Sequence, residues 1–243
     1  MTSTALIIGA SGGLGSALCQ RWLQEEQIDS VIAVSRAPLS LEKNNTLKTT
    51  HYIQCDYSET AITDACERID ALSDSITHIC ICNGILHDGE HWPEKRIEEV
   101  NANALLDIFT INSVIPVLWL KALVSIVTGN TDCVIAVFSA RIGSIGDNRS
   151  GGWYSYRASK AALNMLLKTA AIEYARRAKN VKLIAFHPGT TDTRLSKPFQ
   201  RSVKSENLFT TDFVADHLVE IMKHQAIDGE LSYIDWENKD IAW

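Results

Sequence analysis

The sequence predicts a doubly wound α/β fold: one mostly parallel sheet of about seven strands with helices on both faces. Three observations carry this reading. Short apolar runs such as Ala5–Ile8, Val31–Val34 and Cys133–Phe138 alternate with longer amphipathic stretches, and strand–helix–strand repetition forces parallel pairing through right-handed crossovers. The runs are continuously apolar, as strands covered on both faces must be. Four glycines, Gly9, Gly12, Gly13 and Gly15, fall within seven positions directly after the first run.

The elements follow in order. Ala5–Ile8 is the first strand, and Leu14–Glu26 is a helix with Leu14, Leu18 and Trp22 on one face. Val31–Val34 is the second strand. Tyr52–Cys55 is the third, followed by a helix over about Ile62–Leu72. Ile76–Cys82 is the fourth, with Cys80 and Cys82 on the same side. A short helix after Pro93 and a long one over Ala102–Val127 precede the fifth strand, Cys133–Phe138. Ala158–Arg176 is a strong helix, Val181–Phe186 the sixth strand, and Thr190–Asn207 a polar loop placed to cover a substrate. A helix over Asp212–His224 and a strand over Leu231–Ile234 close the chain. No repeat or linker divides it, so residues 1–243 are expected to form one domain.

Composition narrows the class. Hydrophobic residues make up 46% and charged residues 21% of 243, enough apolar content to fill a core and exclude disorder. The net charge of −6 without a Lys/Arg run argues against a nucleic-acid partner. The six cysteines lack any C-x-x-C pair and read as small buried hydrophobes of a reducing compartment, with no metal site. The N-terminus lacks a basic signal-peptide region, and Asp107, Asn112, Pro116 and Lys121 interrupt the apolar stretch from Ala104 to Val127. A cytoplasmic protein with no membrane partner is the expectation.

The segment Ile7-Ile8-Gly9-Ala10-Ser11-Gly12-Gly13-Leu14-Gly15 joins the first strand to the first helix. Glycines let such a turn approach a pyrophosphate, and the helix N-terminus offers free N–H groups to the anion. In this context the fold is a Rossmann-type, NAD(P)-binding domain. The spacing fits both G-x-x-x-G-x-G and G-x-x-G-x-x-G. At the end of the second strand, where NAD-preferring folds place a carboxylate, the chain has Ser35-Arg36. A guanidinium suits a 2′-phosphate, so NADP(H) is expected in preference to NAD(H).

Tyr156 and Lys160 stand four residues apart, one above the other on a helix face. A nearby ammonium favours a phenolate. Tyr156 is thus placed to give a proton to a carbonyl oxygen or take one from an alcohol.

These motifs, in this order, resemble the short-chain dehydrogenase/reductase family in its short single-domain form. The resemblance covers essentially the whole chain. It includes the glycine turn, Asp56, Asn83-Gly84, Asn112, Tyr156-x-x-x-Lys160 and Pro188-Gly189-x-x-x-Thr193. The segment Gly151–Lys160 is similar to the carbonyl-reductase branch containing sniffer and C-factor proteins. The resemblance implies that Gly9, Ser11, Gly13, Leu14 and Gly15 contact pyrophosphate, and that Asp56 and Tyr57 flank the adenine. Gly84 would pack beside the adenosine ribose, and Asn83 would be a further cofactor-binding residue. Tyr156 and Lys160 would serve chemistry and cofactor alike, Lys160 on the ribose. Asn112 would hold a relay water, and Pro188, Gly189, Thr190 and Thr193 would border the nicotinamide. It also implies a homodimer or homotetramer built on the two long helices.

Two positions depart from the family pattern. Ile81-Cys82-Asn83-Gly84 replaces Asn-Asn-Ala-Gly, and Ala140 stands where a catalytic serine is usual. Ser139 is the expected substitute, with Ser144, or neither, as alternatives. The expected activity is an NADPH-dependent oxidoreductase working on a small-molecule carbonyl or alcohol. A cofactor-binding signalling protein with weak catalysis is the alternative. A nucleotide-sugar epimerase is disfavoured, since only about 50 residues follow Thr193.

Overall fold

A computed structural model describes residues 3–38, 48–73 and 75–243. Seven parallel strands form one sheet: β1 (Thr4–Ile8), β2 (Ser30–Ser35), β3 (Thr49–Gln54), β4 (Ile76–Ile81), β5 (Cys133–Phe138), β6 (Val181–His187) and, last in the chain, β9 (Leu231–Asp235). Their spatial order is β3-β2-β1-β4-β5-β6-β9. From β1 the chain first winds outward through β2 and β3, then returns to β4 on the other side of β1. That reversal opens a crevice at the carboxyl ends of β1 and β4, where such folds bind ligands. The expected fold class and strand count hold.

Two apolar layers clamp the sheet. On one face, helices α1 (Gly13–Gln24) and α6 (Thr211–Lys223) pack Leu18, Trp22, Val214 and Leu218 over Ile7, Ala33 and Phe186. On the other, α2 (Glu59–Leu72), α4 (Ile115–Val127) and α5 (Tyr154–Arg177) pack Ile69, Trp119, Leu123 and Leu167 over Leu6, Ile32 and Val137. Cys80 belongs to the first layer and Cys82 packs against it, so both lie on the same side of β4.

Most boundaries differ from expectation by one to three residues. The third strand shows why. It begins at Thr49 rather than Tyr52, because backbone pairing with β2, Ser30 opposite Thr49, extends it through exposed polar residues. An edge strand needs no apolar face there. Helix α2 starts at Glu59, three residues early, where the Ser58 hydroxyl caps Ala61 N–H.

The long helix expected over Ala102–Val127 is interrupted. Helix α3 (Ala102–Phe109) runs into a π-helical turn, Thr110–Val114, before α4 continues. The stretch is long and apolar enough to cross a membrane by length and composition, yet Trp119, Leu120, Leu123 and Val127 lie in the core. The Thr190–Asn207 loop contains strand β7 (Thr190–Thr191) and 3₁₀ turns at Lys197–Ser202 and Ser205–Asn207; a short partner, β8 (Leu208–Phe209), follows it.

Candidate active site

The turn after β1 brings the glycines to the crevice. Gly9 has φ +86, and a Cβ there would lie 3.0 Å from Asn83 N; one on Gly15 would lie 2.3 Å from Gly9 O. Strand and helix meet this closely only because both positions lack side chains. Gly12 precedes α1 without a side-chain cap, so the first N–H groups of the helix stay available to an anion. Gly13 packs beside Thr193, Leu14 lines the cleft, and Ser11 is exposed at the rim.

Past β2, the Ser35 hydroxyl donates to Ala37 O at 2.5 Å, which fixes the bend. The Arg36 guanidinium carbon stands 5.9 Å from the centre of the Tyr57 ring, within cation–π range. Tyr57 adopts a left-handed backbone (φ 71) and packs edge-on against Trp119. Asp56 accepts from Ser58 N–H at 2.8 Å; hydrogen bonding from Ser58 holds its carboxyl below the usual range. These residues form one corner, at the carboxyl ends of β2 and β3.

The floor of the cleft carries Asn83 and Gly84 at the carboxyl end of β4. Both side-chain polar atoms of Asn83 are buried without a partner. Such atoms are costly unless a ligand or water completes them. That orphaned amide, beside a glycine cradle that a Cβ would fill, fits a dinucleotide. Pro188, Gly189, Thr190 and Thr193 line the far wall.

Helix α5 begins at Tyr154, four residues before the expected start, and so carries Tyr156 and Lys160 on one helix. Both line the cleft, with Lys160 Nζ 5.9 Å from the Tyr156 ring centre. Lys160 is buried and donates to Phe138 O at 2.7 Å. Burial pushes its ammonium down to about 7 and pushes the Tyr156 phenol up, since desolvation disfavours whichever form is charged.

Asn112 sits in the π-helical turn and is fully buried. Its Oδ1 accepts from Ile85 N–H at 2.7 Å, while Nδ2 donates to Ile85 O at 2.8 Å and Ser159 Oγ at 3.0 Å. The extra residue of a π turn re-aims a side chain, here toward the segment after β4 and α5. A Cβ on Gly84 would lie 3.4 Å from Asn112 Oδ1 and 3.5 Å from Lys160 Nζ, so the three positions converge.

The two serine candidates are already engaged. Ser139 lines the cleft, but its hydroxyl donates to Asn164 Oδ1 at 2.5 Å. Ser144 Oγ is buried and accepts from Asp147 N–H at 3.0 Å. Ala140 presents its methyl to the cleft, and its carbonyl accepts from the Tyr233 hydroxyl at 2.7 Å.

Sequence reading gives Trp153 as a pocket or packing residue without choosing between them, and misses Glu94, Trp92 and Phe199. Glu94 is 5% exposed and reaches the start of α5. Its carboxylate accepts from the Ser155 hydroxyl and, at 3.2 Å, from Ser155 N–H; its carbonyl accepts from Trp153 N–H at 2.5 Å. Trp153 itself is left-handed (φ 54), a conformation that costs a bulky residue about 1–2 kcal/mol. Trp92 and Phe199 also line the cleft. No periodicity marks any of them, because a loop residue's role depends on what folds opposite it. His87 Nε2 lies 3.1 Å from Leu195 O, and His91 pairs with Asp107 at 2.9 Å.

With this geometry in view, comparison with known proteins assigns the family. A family model described as short chain dehydrogenase matches residues 3–204, and the chain belongs to that family. It is an NAD(P)-binding, carbonyl-reductase-like oxidoreductase. A 1-hydroxy-2-glutathionyl-2-methyl-3-butene dehydrogenase of Rhodococcus sp. is 35% identical over 101 residues, 42% of this chain and 39% of that one. A benzil reductase ((S)-benzoin forming) of Bacillus subtilis is 26% identical over 93% of this chain and 96% of its own. Carbonyl reductase Sniffer of D. melanogaster superposes over both whole chains with a TM-score of 0.85 at 20% identity. An NADPH-bound carbonyl reductase from chicken fatty liver superposes over 100% of this chain and 99% of that one at 0.80, also 20% identical. Both solved structures share the fold.

Proposed function

We propose that this chain reduces a carbonyl group with NADPH, reversibly, and that Tyr156 exchanges the proton. The observation that carries this reading is the placing of Tyr156 and Lys160 on one helix face, in the cleft that the glycine turn opens. The nicotinamide supplies hydride when bound. Glycine-turn amides and the α1 N-terminus would hold the cofactor's pyrophosphate, Asn83 would offer its unpartnered amide to the cofactor, and Arg36 would hold a 2′-phosphate. Tyr156 donates its phenolic proton to the substrate oxygen. Lys160 in its charged form then steadies the phenolate; burial lowers its ammonium to about 7, so that form is most populated below neutrality. Asn112 ties the π-helical turn to Ile85 and Ser159 and so keeps the floor beside Lys160 in place.

Replacing Tyr156 with Phe tests the assignment. Turnover of a carbonyl panel should fall at least about 10²-fold, the scale of one general acid, with NADPH affinity kept. Undiminished turnover would overturn it. The Ala140 methyl in the cleft and the engaged hydroxyls of Ser139 and Ser144 favour a second reading, cofactor binding with weak catalysis. NADPH binding with no turnover across the same panel would support that instead.

We further propose a homo-oligomer. Leu106, Val114, Met165, Leu166 and Ile172 are exposed along α3, the π turn and α5, and exposed apolar side chains on neighbouring elements suit a surface that a second copy covers.

A further inference from the structure

We infer that Trp153 is the specificity-determining residue of the cleft and that the substrate is an aryl carbonyl, its ring held against Trp153, Phe199 and Trp92. The inference rests on the reading of Tyr156 as proton donor, because it places the aryl group beside the carbonyl that Tyr156 serves.

Backbone conformation is the first support. Gly151, Gly152 and Trp153 are consecutively left-handed, with φ of 62, 66 and 54. Glycine adopts that conformation freely and tryptophan does not. Strain of this kind persists where neighbouring contacts hold it. Here Glu94 holds it from both sides, through its carbonyl to Trp153 N–H and its carboxylate to Ser155. A third glycine would make the same turn without strain, so the indole is what the strained position retains.

The second support is where the indole goes. Its ring centre is 6.3 Å from Tyr156 and 4.9 Å from Phe199, both edge-on, and Trp92 lies 6.1 Å from Phe199. These residues come from three separate segments: the β4–α3 connection, the start of α5, and the 3₁₀ turn at Lys197–Ser202. All of them line the one cleft that holds Tyr156 and Lys160. Trp92 remains 59% exposed although His87 stacks on it at 5.1 Å, and Trp153 and Phe199 are half-buried, so the wall keeps accessible surface in the cleft. Offset and edge-on geometry suits a further aromatic ring.

Charge settles which aryl group. Aromatic walls also attract cations. Lys95 and Arg201 stand on the same rim, however, and neither makes an ion pair among the described residues. Glu99, the acidic residue there, is occupied by Lys95 N–H and the Arg96 guanidinium. The rim repels a cation, and the aryl carbonyl is neutral or anionic.

The experiment compares benzil with 2,3-butanedione, two diketones that differ in their flanking groups. NADPH oxidation is followed with the full chain, alongside thermal unfolding by circular dichroism. Wild type should favour benzil at least about tenfold in kcat/KM. Trp153→Gly, and separately Phe199→Leu, should lower that ratio about three- to tenfold, the scale of one aromatic contact, chiefly through KM. Trp153→Gly should leave Tm unchanged or raise it, because it releases the strained backbone; Trp153→Phe should recover most of the ratio. An unchanged ratio overturns the inference. So does a ratio that falls but does not recover in Trp153→Phe, or equal loss on both substrates with a lower Tm, which would make Trp153 a packing residue. Equal use of both diketones by wild type overturns the inference while leaving the Tyr156 reading intact. If wild type reduces neither and Tyr156→Phe is silent on every carbonyl tried, the underlying function fails instead.

Discussion

Lys160 should make the stability of the cofactor-free protein depend on pH in a way that one substitution removes. Its ammonium titrates at about 7 in the fold, against an ordinary 10.5. Below pH 7 the lysine is charged in both states, and the fold bears the whole cost of burying that charge. Between about 7 and 10.5 the unfolded chain binds a proton that the folded chain does not, so stability rises with pH. Above 10.5 the cost is gone. At about 1.4 kcal/mol per pH unit, the ceiling is about 5 kcal/mol, a large share of the roughly 5–15 kcal/mol that holds an ordinary domain together. Lys160→Met removes the charge and keeps the length. It also strips Phe138 O of its partner, an opposing loss of about 1–3 kcal/mol. The variant should therefore be more stable than wild type by roughly 2–4 kcal/mol at pH 6.5 and less stable at pH 10, the two curves crossing in between. Urea unfolding followed by the fluorescence of the six tryptophans, from pH 6.5 to 10 without cofactor, measures this directly. Tyrosine and cysteine titrations are common to both proteins and cancel. Curves that run parallel across that range would show that burial of Lys160 does not control its charge.

Other consequences are simpler to test. Arg36→Ala should raise the KM for NADPH about tenfold or more, the loss of one charge-assisted hydrogen bond, and barely change that for NADH; equal effects on both would remove Arg36 from 2′-phosphate recognition. Glu94→Ala should lower stability by about 1–3 kcal/mol, because Ser155 N–H and its hydroxyl lose their acceptor in a buried place; an unchanged denaturation midpoint would contradict that role. Burial raises the thiols of Cys19, Cys66, Cys80 and Cys133 to about 12 or beyond and Cys82 well above the ordinary range. Native protein should thus react slowly with Ellman's reagent at pH 8, and the six thiols should be released by denaturant; rapid labelling of the native protein would refute this.

Local pattern determined much of this protein. Parallel strands buried on both faces need continuous apolar runs, and a phosphate turn needs glycines between strand and helix, so β1, β2, β5 and the Gly9–Gly15 segment were legible at once. Tyr156 and Lys160 were legible for a similar reason: four residues is one helical turn, and a helix converts that spacing into adjacency. The edge strand β3 was legible only in part, since half its residues face water and carry no apolar signal. The π-helical turn around Asn112 was not legible, because the polar residues and Pro116 that interrupt this apolar stretch do not by themselves specify an extra residue in a helical turn.

Only the tertiary structure decided what meets what. Chain order says nothing of Glu94 lying under the start of α5, because no element contains both. Nor does it tell that the Ser139 hydroxyl turns to Asn164 on α5, leaving the methyl of Ala140 in the cleft. The strained Trp153 and the wall it forms with Phe199 and Trp92 depend on three segments brought together by the crossovers of the sheet. Composition and periodicity act over one element at a time and so determined the scaffold and its cofactor turn. The substrate side of the cleft is built from loops, whose positions are set by the packing of everything else.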